Sequence, residues 1–131
     1  MAQQEYIENA HLSILVVEDE ILIRQMLSEN LREAGFQVME AYNADEAISL
    51  LQATLPALII SDVKMPGSLD GLGLLAQVKV THPHLPVIIT SGHVLPSQAI
   101  CAGADNFVPK PYGFGSMLCA VKNVLEKIEE R

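Results

Sequence analysis

Basic residues are scarce: 8 lysines and arginines face 16 aspartates and glutamates across 131 residues, a formal net charge of −8. Such a chain lacks the basic face that general nucleic-acid binding needs. A metal cation or a basic protein patch suits it better. Cysteine is nearly absent, and Cys101 and Cys119 are too far apart for a CxxC metal or redox motif. Both fall in helical apolar patterns, so buried, reduced thiols are expected. No run of about 18 apolar residues exists to cross a bilayer. The opening "MAQQEYIENAHLS" also lacks a signal-peptide shape. The expectation is a soluble, cytoplasmic protein without membrane contact. What the chain does have is 50% hydrophobic residues, enough for one core in a domain of ordinary size.

Residues 1–11 are polar and read as a flexible N-terminal tail, leaving 12–131 as one domain. "LSILVV" (12–17) is a short β-branched run suited to a strand buried on both faces. After it, Ile23, Leu27, Leu31 and Ala34 recur at helical spacing until Gly35 stops the helix. "FQVMEA" (36–41) reads as a second strand, and Asn43 with Glu46 forms a capping box for a second helix. "ALIIS" (57–61), "PVIIT" (86–90) and "DNFVP" (105–109) are further strands. Between and after them lie a helix from about Gly71 to Thr81, a short helix opened by Pro96, and a last helix with Met117, Leu118, Val121, Leu125 and Ile128 on one stripe. Strands alternating with helices predict an α/β fold: a doubly wound, five-stranded parallel sheet with helices on both faces.

In such sheets, reactive groups gather outside the carboxyl ends of the strands. Those ends carry Glu18 and Asp19 after strand one, Asp62 after strand three, Ser91 after strand four and Lys110 after strand five. Taken alone, each suits a structural role; Glu18, Asp19 and Glu20 could simply serve the positive end of the first helix. Together they form a constellation. Three neighbouring carboxylates repel unless a cation intervenes, and a hard divalent ion such as Mg²⁺ favours oxygen ligands. With Lys110 and a divalent ion the charges of the three acids are balanced. Metal and lysine could then neutralise an incoming phosphoryl group. Asp62 is placed to receive it as a nucleophile, and Ser91 could donate a hydrogen bond to a phosphoryl oxygen.

The segments "ILVVEDE", "IISDVKMPG", "DGLGLL", "VIITSGH" and "NFVPKPY" resemble, in order, the receiver domain of bacterial two-component response regulators, over roughly residues 12–128. The resemblance implies the flavodoxin-like receiver fold. It also implies a phosphorylation-controlled switch that accepts a phosphoryl group on Asp62 from a histidine kinase or phosphotransfer protein. It makes Asp19, Asp62 and the backbone carbonyl of Lys64 direct Mg²⁺ ligands, with Glu18 acting through water. Lys110 would pair with the phosphoryl group, and Lys110–Pro111 would be a cis peptide. "ITSG" offers two hydroxyls; counted from Pro86, the family's switch hydroxyl falls on Ser91, with Phe107 as the aromatic switch residue.

The pattern departs from the commonest receivers in three places. "MPGSLDG" is one residue longer, and the interval from Ser91 to Lys110 is about three residues shorter than in the chemotaxis response regulator. Pro109 removes a backbone donor just before Lys110. With "TSGHV" and "PKPY" these features resemble single-domain proteobacterial receivers. The expectation is therefore a signalling protein rather than an enzyme beyond its own phosphorylation and dephosphorylation. No helix-turn-helix segment follows, so output through a protein partner, or as a phosphate sink or relay, is expected from a monomer or weak dimer. Two other classes bear on the same residues. A Mg²⁺-dependent phosphohydrolase of the haloacid-dehalogenase type would want D-x-D where Glu18-Asp19-Glu20 stands. A receiver-like binding module without phosphorylation would be expected to lose Asp62, Lys110 or the acid pair. His93 could line the rim of the site, whereas His82 and His84 read as a polar helix exit.

Overall fold

The computed structural model describes residues 9–129. Most of the expected tail, residues 1–8, lies outside the described residues. Asn9 does not: its side-chain amide donates to the Ala34 carbonyl at 2.9 Å, and Gln37 donates to the Ala10 carbonyl at 2.9 Å. In chain order the elements are β1 Ser13–Val17, α1 Ile21–Glu33, β2 Gln37–Ala41, α2 Ala44–Ala53, β3 Leu58–Asp62, α3 Gly71–Thr81, β4 Val87–Ser91, α4 Pro96–Cys101, β5 Asn106–Pro109 and α5 Phe114–Glu129. The strands form one parallel sheet in the order β2-β1-β3-β4-β5. This is the α/β architecture expected from the strand–helix alternation. β3 and β4 each begin and end one residue later than the sequence pattern suggests, which carries Asp62 and Ser91 into the strand ends.

Alternation along each strand splits the core in two. Ile14, Val16, Leu58, Ile60, Ile88 and Val108 pack under α1 and α5 with Leu31, Met117 and Val121. Leu15, Val17, Ile59, Val87 and Ile89 pack under the opposite helices with Ala47, Leu74, Leu75 and Val78. A sheet covered on both faces explains why β1, β3 and β4 are almost continuous apolar runs. On α1, Leu27 and Leu31 are buried as their spacing implies, but Ser28 takes a third buried position and Ile23 is only half-buried. The expected burial of the cysteines is overturned. Cys101 and Cys119 are both exposed, because Ala99 on α4 and Met117, Ala120 and Val121 on α5 take the inward positions.

Local chemistry fixes the ends. The Asn43 side chain accepts from the Glu46 N–H at 2.8 Å, while Glu46 reaches back to the Tyr42 N–H at 3.2 Å. Asp70 caps α3 through the Gly73 N–H at 2.8 Å. Pro109 is harmless where it stands. The Lys110 N–H donates to the Ser91 carbonyl, so alternation turns the Pro109 nitrogen away from β4. β5 is an edge strand, and its Phe107 N–H is met by the Asn106 side chain. The edge thus offers little for another strand to pair with.

Candidate functional site

The strand order reverses between β1 and β3, and the crevice beyond their carboxyl ends is where such sheets hold ligands. Register does most of the assembly. Val17 lies beside Ser61, so Glu18 follows beside Asp62; Asp62 in turn lies beside Thr90, and Thr90 beside Val108. Adjacent strands sit about 4.8 Å apart, and register partners in a parallel sheet share a face. Glu18, Asp62 and Thr90 therefore form a row on the α1/α5 side.

Lys110 closes the site. Its Nζ donates to Glu18 Oε2 at 3.0 Å and lies 3.3 Å from Asp62 Oδ2. Glu18 and Asp62 are only 3% and 6% exposed, and burial pushes both carboxyls above their ordinary values despite the Lys110 charge. For Lys110, burial pulls the other way. The hydrogen bond and charge of Glu18, with those of Asp62, outweigh it and hold the ammonium above its usual range. The Glu20 N–H donates to Glu18 Oε1 at 3.2 Å, and the Val63 N–H donates to Asp62 Oδ1 at 2.8 Å. No acidic residue occupies the first turn of α1, and Glu20 makes no side-chain cap. None of the three acids thus serves the first turn of α1 as a charge, and Glu18 turns to Lys110.

Asp19 is exposed beside this pair, and carboxylate oxygens of Glu18, Asp19 and Asp62 lie within 4.8 Å of one another. All-oxygen donors crowded at that separation, two of them costly to ionise without help, fit a hard divalent cation. Lys64 lines the same cavity. Gly71 lets α3 start directly against the Asp62 backbone: a Cβ there would stand 2.0 Å from the Asp62 carbonyl oxygen. The Gly71 N–H donates to the Val63 carbonyl at 2.7 Å, so the start of α3 presses against the end of β3. The lengthened loop between them is tied down at its tip, where the Ser68 hydroxyl donates to the Asp45 carboxylate at 3.0 Å and Gly67 adopts a φ of 110°.

Ser91 lies on the other face, its Oγ accepting from the His93 and Val94 N–H groups at 2.9 and 3.3 Å. Phe107 is half-buried against the core on that same face. Lys110–Pro111 is cis. The cavity at the site continues as a groove of about 650 Å³ along α1, walled by Ile23, Met26, Leu27, Tyr112 and Phe114, with His93 at its rim. Periodicity treats Ile23 as core, and the groove was not anticipated. Apolar spacing alone gives no signal that separates half-buried Ile23 and exposed Met26, which wall the groove, from buried Leu31. Tyr112 and Thr90 were missed as site neighbours too. His82 and His84 lie elsewhere, lining an apolar cavity of about 400 Å³ with Leu12, Leu125 and Ile128.

Residues 14–122 match the family described as the response regulator receiver domain. The chain belongs to that family. The receiver is 35% identical over 121 residues to the DNA-binding transcriptional regulator NtrC of Salmonella typhimurium, a match covering 90% of this chain and 26% of that protein. It is 34% identical to a putative NtrX-like response regulator of Rickettsia felis, covering 89% of this chain and 26% of the relative. The chain thus spans about a quarter of the length of these curated relatives. Among solved structures, the receiver domain of NtrX from Brucella abortus superposes with a TM-score of 0.82 at 37% identity, covering 86% of this chain and 98% of that one. A CheY-like receiver domain protein from Methanospirillum hungatei gives a TM-score of 0.85 at 25% identity, covering 91% and 97%. No helix among the described residues is long and apolar enough to cross a membrane.

Proposed function

We propose that this receiver takes a phosphoryl group on Asp62 from a histidine kinase or a histidine phosphotransfer protein. The observation that carries the reading is the pairing of Asp62 with one lysine and two further carboxylates at the strand-order switch. Asp62 Oδ2 is the attacking oxygen, since Oδ1 is engaged by the Val63 N–H. Asp19, Asp62 and the Lys64 carbonyl would hold Mg²⁺, with Glu18 acting through water; bound there, the ion would supply positive charge for the oxygens of the group in transfer. Lys110 leaves its bridge between Glu18 and Asp62 to pair with the phosphoryl oxygens. Ser91 donates a hydrogen bond from its hydroxyl to one of them, and Phe107 follows into the space left on the β4/β5 side. Such couplings are typically about 1–3 kcal/mol, enough to bias a two-state equilibrium.

The groove along α1 is the docking surface for the donor protein. It runs from Asp62 past Ile23 and Met26, so a helix carrying the phosphohistidine could lie along it with an apolar anchor about one turn from its histidine. Output then passes to a protein partner, or the receiver serves as a phosphate sink or relay, in the bacterial cytoplasm. The receiver acts as a monomer or weak dimer, with residues 12–131 as the switching domain. Its chemistry is confined to gain and loss of its own phosphoryl group. Incubation with acetyl phosphate and Mg²⁺, read by intact mass, tests this: one phosphoryl adduct is expected, and none when a chelator is present from the start. An unmodified mass under these conditions and with a phosphorylated histidine donor would defeat the reading.

A further inference from the structure

Thr90 is 2% exposed, and its Oγ1 has no hydrogen-bond partner. A buried hydroxyl without a partner is costly, and native structures keep few of them. Its place is specific. Thr90 is the register partner of Asp62, on the opposite side of that residue from Glu18, and all three share the α1/α5 face. Lys110, two residues beyond Val108 on the next strand, projects to the same face by alternation. Ser91 by contrast is already occupied as acceptor for two backbone N–H groups of the turn after β4. The two hydroxyls of "ITSG" thus have different duties.

We propose that Thr90 is a positioning residue for dephosphorylation, its hydroxyl donating to the Asp62 carboxylate once Lys110 has moved to the phosphoryl group. This rests on Asp62 being the acceptor. In hydrolysis a water oxygen bonds to phosphorus while the bond from phosphorus to the Asp62 oxygen breaks. The electron pair returns to the carboxylate, and the proton lost by the water passes to solvent. Negative charge therefore grows on Asp62 as the phosphoryl group leaves. The Lys110 ammonium is then committed to the departing phosphate, and with the Val63 N–H held on Oδ1, Thr90 is the side-chain donor that register sets beside the carboxylate. A donor held there stabilises the leaving group and shortens the life of the acyl phosphate.

Thr90→Val keeps the shape and removes the hydroxyl; Thr90→Ser keeps the hydroxyl. The phosphorylated proteins are prepared with acetyl phosphate and Mg²⁺, freed of donor, and followed by intact mass. The expected result is an acyl phosphate that decays several-fold more slowly in Thr90→Val, with Thr90→Ser close to wild type. Thermal midpoints separate this from damage, because Thr90→Val should melt no lower than wild type. Equal decay in Thr90→Val and wild type overturns the proposal. So does slower decay in both variants alike, since shape rather than the hydroxyl would then matter. If wild type takes no phosphoryl group, the functional reading itself has failed; if it labels and decays at the rate of the valine variant, only the role of Thr90 has.

Discussion

Glu18, Asp62 and Lys110 hold one another in their charge states, and the balance depends on pH. Both carboxyls have pKa values raised by burial, so the folded protein binds their protons more readily than the unfolded chain does. Their contribution to stability is therefore greatest in acid and declines as pH rises from the ordinary carboxylate range through the raised values. Lys110 is raised as well, so its contribution is present below the ordinary lysine value and lost only at strongly alkaline pH. A metal ion must displace the same protons. Mg²⁺ affinity measured by calorimetry is expected to be weaker at about pH 5 than at about pH 8; equal affinities would contradict the pairing of these acids as ligands. Lys110→Met strands Glu18 without its cation, and a lost hydrogen bond to a charged group costs about 1.5–3 kcal/mol. Denaturant melts should show that loss at neutral pH and a smaller one in acid, where Glu18 takes up a proton.

At the scale of elements, function depends on how closely α3 and α1 approach the strand ends. Gly71→Ala forces a methyl group against the backbone of Asp62. Overpacking of that kind costs about 1–3 kcal/mol, and here the strain falls on the Asp62 backbone. A lowered thermal midpoint with slower phosphorylation is expected, and unchanged labelling would show that the contact does not set the site. On α1, Met26 is 65% exposed and walls the groove. Met26→Asp should slow phosphoryl transfer from a phosphorylated histidine-containing donor protein while leaving labelling by acetyl phosphate intact. If both rates fall together, the groove is not a docking surface. The elements themselves were legible in the sequence: Asn43 as a cap, Gly35 as a stop, the β-branched strands. The groove was not, because a pattern of apolar spacing marks Ile23 and Leu27 alike as core and does not reveal that the first stands half-exposed in a groove.

For the whole molecule, strand order gathers chemistry that the sequence scatters over 92 positions between Glu18 and Lys110. The constellation was readable because parallel α/β sheets place every strand end on one edge. Asp19, Asp62 and Lys110 announced themselves by type and position. Thr90 did not, since a threonine inside "VIITS" looks like any β-branched strand residue until register sets it beside Asp62. The cysteines misled for a related reason: helical apolar spacing assigns a stripe, but small neighbours such as Ala99 and Ala120 took the inward places. The central claim is that this fold exists to present one aspartate for phosphorylation. The most direct test is treatment with acetyl phosphate and Mg²⁺, borohydride reduction of the acyl phosphate, and peptide mapping of wild type beside Asp62→Asn. The account predicts homoserine at position 62 in wild type and no reduced residue in the variant. Reduction at another acid, or equal labelling of the variant, would contradict it.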